Sequence, residues 1–140
     1  MSMEGIEVLF VLGFGPIVRD DASRAFYADT LGIDFKDEEG YLHTEAVEGA
    51  KTFALWPLSQ AAESCFGTKE WPADRPVPQA WLEFDVQDIG SATAALKVRG
   101  YDLLSEAKVE PWGQTVTRLL SPEGMLVAVT HTPGMRRDED

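Results

Sequence analysis

The residues with most chemistry in this chain gather in one short run. Over residues 79–86, Trp81, Glu83 and Asp85 alternate with Leu82, Phe84 and Val86. Such alternation belongs to a β-strand, which sends successive side chains to opposite faces of a sheet. The apolar set suits packing beneath a helix, and Trp81, Glu83 and Asp85 then belong to the open face. Two carboxylates at this spacing lie about 6.5–7 Å apart at Cα, near enough to act on one substrate. A pair of that kind does acid–base work when its two pKa values are separated. Nothing in the sequence indicates such a separation, and no catalytic residue is assigned. Two further tryptophans stand near strand ends: Trp56 in the run 51–58, and Trp112 between Pro111 and Gly113 at the entry to GQTVTRLL. Aromatic walls with nearby carboxylates suit a planar or cationic ligand, through stacking and cation–π contacts. The alternative for each tryptophan is packing in the core or in a dimer seam. The candidate ligand-binding set is Trp56, Trp81, Trp112, Glu83 and Asp85. Arg118 joins it, because the turn at Pro122-Glu123-Gly124 sets Val116 and Arg118 opposite the strand of Ala128.

Other chemistries find little support. Cys65 is the sole cysteine, so there is no intrachain disulfide and no multi-cysteine zinc site. A reducing, cytoplasmic location is expected. His43 and His131 read as surface or hydrogen-bonded histidines on strands. No glycine pattern leads into Lys-Ser or Lys-Thr to cradle a phosphate. Gly13-Phe14-Gly15 lacks the remaining glycines of a dinucleotide fingerprint, and no serine sits in a nucleophile elbow. Asp plus Glu number 24 against 12 Lys plus Arg, a net charge of −12. That balance argues against nucleic acid and anionic membranes as partners, and favours attraction of cations. Glu4 and Glu7 stand where a secretory signal would carry basic residues, and no apolar run reaches transmembrane length.

The elements that must position these residues come in two sets. Residues 14–34 overlay residues 82–102 at a constant offset: Val18 falls on Val86, Asp20 on Asp88, Ser23 on Ser91, Gly32 on Gly100 and Asp34 on Asp102. Each segment reads as a strand, an acidic helix cap, a helix (near 21–31 and 89–99) and a glycine stop. After the first helix come YLHTEAV and KTFALWPL, joined by a turn at Glu48-Gly49. After the second come a strand near 101–104, then GQTVTRLL and MLVAVTHT. The expected fold is therefore α+β, two βαβββ modules with sheets curling around a cleft. The organisation is one domain, 1–140. It divides into a first module at 5–58, a linker at 59–78 read as a Pro- and Gly-bearing loop, a second module at 79–132, and a polar tail at 133–140.

The stretches IVRDDASRAFYADTLG, VQDIGSATAALKVRG and SPEGMLVAV resemble the vicinal oxygen chelate superfamily, which includes glyoxalase-like and bleomycin-resistance-like proteins. The resemblance spans roughly residues 5–132. It implies paired βαβββ units around a cleft and, in metal-dependent members, four inward ligands for a divalent metal. Those positions fall here on Gly13, Trp81, Ala128 and either Phe53 or Ala54. None offers an imidazole, carboxylate or thiolate donor. The resemblance thus implies a metal-free small-molecule binder without a cofactor, holding an aromatic or cationic ligand in the manner of bleomycin-resistance proteins, and forming a homodimer. The alternative it leaves open is a glyoxalase-like lyase, isomerase or dioxygenase with a relocated or absent metal.

Overall fold

The computed structural model describes residues 5–133; all of the expected polar tail beyond residue 133 lies outside the described residues. Strand β1 (Val8–Val18) leads to helix α1 (Asp21–Arg24), which runs on as a π-helical segment (Ala25–Thr30). Three strands follow, β2 (Lys36–Glu38), β3 (Tyr41–Thr44) and β4 (Thr52–Pro57). Helix α2 (Leu58–Phe66) leads to the second half: β5 (Ala80–Val86), α3 (Ile89–Val98), β6 (Leu103–Val109), β7 (Thr115–Leu120) and β8 (Leu126–His131). No helix among the described residues is long and apolar enough to cross a membrane.

The helix starts and stops follow local chemistry. Asp20 accepts from the Ala22 amide, and Asp88 from the Ser91 amide. Gly32 and Gly100 close the two helices with φ of 72° and 85°, which a residue with a Cβ adopts only at a cost. In each half the first strand pairs in parallel with the last, and the last pairs antiparallel with the one before it. The halves join edge to edge through antiparallel pairing of β1 with β5. The result is one eight-stranded sheet in the order β2-β3-β4-β1-β5-β8-β7-β6.

The linker is not the loop its prolines and glycine suggest. Leu58, Ala61, Ala62 and Cys65 recur at helical spacing, and Gly67 ends the helix with φ 77°. Helix α2 also reports the shape of the sheet. Laid flat, the edge strands β2 and β6 would stand about 34 Å apart at a spacing of about 4.8 Å per strand. Yet Gln60 donates to the Glu39 carbonyl in the β2–β3 turn (2.8 Å), and Lys108 of β6 donates to the Ser64 carbonyl one helical turn further on (2.9 Å). Both sheet edges therefore close on a single helical turn, and the sheet curls around α2.

The face of β5 expected to be open is the inside of this curl. Trp81, Glu83 and Asp85 are 4%, 6% and 0% exposed, whereas Leu82 and Phe84 on the outer face are only half-buried. The inner face holds the main core: Ile17, Ala54, Trp56, Trp81 and Leu126 pack with Ala61 and Cys65 of α2. Buried carboxylates are tolerated there because each has a partner. A second cluster, Val86, Ala92 and Val129, seats α3 on the outer face.

Candidate functional site

At the centre of the inner face, the register places Gly13, Glu83, Ala128 and Arg118 in one row across β1, β5, β8 and β7. The neighbouring row holds Gly15, Trp81 and Leu126. The two glycines make room for the indole of Trp81 and for the backbone of β4, the Thr52 carbonyl oxygen lying 2.7 Å from a Cβ added at Gly13. A Cβ added at Gly13 would stand 3.0 Å from Trp81 Cη2, and one at Gly15 would stand 3.0 Å from its Nε1 and 1.8 Å from the Ala54 carbonyl oxygen. The indole is pinned where it lies, Nε1 donating to that same carbonyl at 3.1 Å. Trp56 meets it edge to face at 6.2 Å.

A polar chain borders this aromatic pair. Arg118 is 1% exposed, its Nη1 donating to Glu83 Oε2 at 2.9 Å and its Nε to Ser64 Oγ at 3.2 Å. The guanidinium lies over the Trp56 ring, 4.7 Å from its centroid. Ser64 in turn donates to Glu110, which also pairs with Lys108 at 3.3 Å. Gln114 donates to Glu83 Oε1 and to Thr132 Oγ1, and accepts from Trp112 Nε1 at 2.8 Å. The rim tryptophan is thereby tied to the buried ion pair through one amide.

Beside the pair lies a cavity of about 150 Å³ lined by Leu12, Tyr41, Thr52, Trp56, Trp81, Glu83, Trp112, Gln114 and Thr132. Four of the six residues singled out in the sequence, Trp56, Trp81, Trp112 and Glu83, share this wall. Trp112 is the rim residue, 61% exposed. Asp85 does not reach the cavity; it is fully buried and accepts from the Thr132 amide and the Thr130 hydroxyl. Arg118 sits behind Trp56 and balances Glu83, so the carboxylate expected to attract a cation is already matched. The Cys65 thiol is in the core, pushed up to about 11 by burial, and stays protonated. Tyr41, Thr52, Gln114 and Thr132 escaped the sequence reading. Gln114 was within its reach, since it shares strand parity with Val116 and Arg118. Tyr41 required the β3–β4 register, which pairs Leu42 with Leu55 and so sets Tyr41 beside Trp56.

Over residues 17–129 the sequence matches the Glyoxalase/Bleomycin resistance protein/Dioxygenase superfamily. The chain belongs to that superfamily. No curated protein matches it significantly in sequence. Among solved structures it is similar to a member of the superfamily from Vibrio splendidus 12B01, with TM-score 0.57, 20% identity, 89% of this chain and 99% of that one covered. It is also similar to a methylmalonyl-CoA epimerase in complex with methylmalonyl-CoA and ammonium (TM-score 0.59, 18% identity, 93% and 99% covered). A Streptomyces coelicolor methylmalonyl-CoA epimerase variant bound to 2-nitronate-propionyl-CoA gives TM-score 0.56 and 19% identity, covering 90% and 99%. At these identities the likeness is one of fold.

The superfamily's metal position falls on the inner face of this sheet. Phe53 faces outward, stacked with Phe35 and meeting Phe14 edge-on, so Ala54 is the inward residue of β4. Gly13, Ala54 and Ala128 have no donor side chain, and the Trp81 indole covers Gly13. Among the described residues no three of His, Cys, Asp and Glu converge as a metal site. The residues present do not fit a divalent metal, and no step through one is derived.

Proposed function

We propose that this protein is a metal-free small-molecule binder that takes an aromatic ligand in the tryptophan-lined cavity. The observation that carries the reading is the convergence of Trp56, Trp81 and Trp112 on one cavity whose metal-ligand positions have no donors. Size narrows the ligand. A cavity of about 150 Å³ accommodates a benzene-sized ring, whereas pockets for drug-sized molecules run to about 300–1,000 Å³. The site opens to solvent at Trp112, which is 61% exposed, so this volume measures the ring held against the tryptophans, and a larger ligand would extend past that rim. The charge of Glu83 is balanced by Arg118, and the aromatic part of the ligand outranks any cationic part. The enzymatic alternative, a glyoxalase-like lyase, isomerase or dioxygenase, has in its favour the fold shared with methylmalonyl-CoA epimerases. A homodimer belongs to the same proposal, because Val8, Val11, Phe14 and Phe26 leave apolar surface exposed along β1 and the first helix.

The test is Trp112→Ala. Trp112 is exposed and joined to the site by one hydrogen bond, so its loss should change stability by no more than about 0.5 kcal/mol. Binding of single-ring aromatics, followed by NMR titration of the full chain, should weaken several-fold, since an aromatic contact contributes about 0.5–1.5 kcal/mol. Unchanged affinity would remove Trp112 from the site.

A further inference from the structure

The polar atoms of the cavity fall into two groups. On the β5–β7 side, Glu83, Gln114 and Thr132 are already bonded to protein. On the β3–β4 side, Tyr41 and Thr52 also line the cavity, and their hydroxyls make no hydrogen bond among the described residues. Burial, and then the Glu83 carboxylate, push the Tyr41 phenol up, so it remains a neutral hydroxyl. Both residues are only partly buried, so water can reach these groups when no ligand is bound. A ligand that displaces the water without replacing its hydrogen bonds loses affinity. A charged ligand meets a different obstacle. Glu83 and Arg118 neutralise each other at 2.9 Å, so a buried carboxylate or ammonium would find no free counter-charge, at a desolvation cost.

We infer that the cavity selects an uncharged single-ring aromatic bearing one oxygen substituent, the oxygen meeting the hydroxyl of Tyr41 or of Thr52 while the ring lies against the tryptophans. This rests on the binding function proposed above and names its ligand class.

Phenol and toluene differ by hydroxyl against methyl at equal heavy-atom count. A purely apolar cavity prefers toluene, because burying a hydroxyl without a partner is unfavourable. Here phenol should bind about two- to tenfold tighter than toluene, the value of one hydrogen bond, and benzoate and benzylammonium should bind more weakly than phenol. Tyr41→Phe or Thr52→Val, whichever removes the hydroxyl that is met, should erase most of the phenol preference and leave toluene unchanged. The readout is NMR titration of the full chain. Toluene binding as tightly as phenol, or a phenol preference that survives both substitutions, would overturn this inference and leave the aromatic cavity standing. Absence of shifts at the cavity residues with every ring would overturn the binding function itself.

Discussion

Replacing Arg118 with leucine probes the centre of the fold directly. An exposed ion pair contributes about 0–1 kcal/mol, but breaking a buried one by removing one partner costs about 3–5 kcal/mol, because the other charge is left uncompensated. The side chains of Arg118 and Glu83 are 1% and 9% exposed, so the buried regime applies. The same change removes the contact over Trp56 and the bond to Ser64. With an unfolding entropy of about 2.1 cal/mol/K per residue, a chain of 140 residues should lose about 10–17 °C in melting temperature. Adding Glu83→Gln to Arg118→Leu removes the stranded charge and keeps an acceptor for Gln114, so the double variant should be more stable than Arg118→Leu alone. Urea and thermal unfolding of the two single variants, the double variant and the parent form the cycle. A cost below about 1 kcal/mol for Arg118→Leu, or simple additivity across the cycle, would refute the argument that this pair is buried and mutually dependent.

Gly15→Ala should abolish cooperative unfolding in circular dichroism, a loss beyond about 4 kcal/mol, since its Cβ would stand 1.8 Å from the Ala54 carbonyl oxygen; near-parental stability would contradict the register of β1 with β4. His43 offers a pH signature. Burial disfavours its charged form, but Glu45 and Glu38, bonded to the two ring nitrogens at 2.7 and 2.6 Å, more than offset that, and its pKa is raised. Its contribution is fully present below the unfolded value of about 6.5 and is lost as pH rises through the raised folded value, so stability should fall above about pH 6.5 and His43→Gln should flatten that fall. Parallel stability–pH curves for the two proteins would count against it. Sedimentation should give twice the chain mass, whereas a monomer at every concentration would dispose of the proposed homodimer.

The sequence exposed the frame of the fold more readily than its inside. Asp20 and Asp88 cap helices through bonds to nearby amides, and Gly32 and Gly100 stop them; such short-range devices act on their own neighbours and are readable from them. The parity of β5 was equally legible, but not which face was inner. A row of Trp, Glu and Asp looks solvated until Arg118, a distant residue, supplies the counter-charge. Short β2 carries only Lys36, Asp37 and Glu38 and has no apolar alternation to announce it. Helix α2 was hidden differently. Its apolar spacing was present in the sequence, but prolines further along the linker drew the whole segment into a loop reading. The cavity depended on pairing across strands far apart in sequence, so Tyr41 and Thr52 carried no local mark.

The indole lying over Gly13 also bears on what it would take to build a metal site in this fold. A ligand side chain placed at position 13 would meet the Thr52 carbonyl oxygen, 2.7 Å from its Cβ, and the Trp81 indole at 3.0 Å, so a donor there requires both the β1–β4 contact and the tryptophan to give way. Exchanging Trp81 first would empty a large part of the core and release the Ala54 carbonyl before any metal had a complete set of ligands to bind. Each single step toward a metal site here therefore passes through a less stable protein, and a gain arrives only after several substitutions have accumulated together.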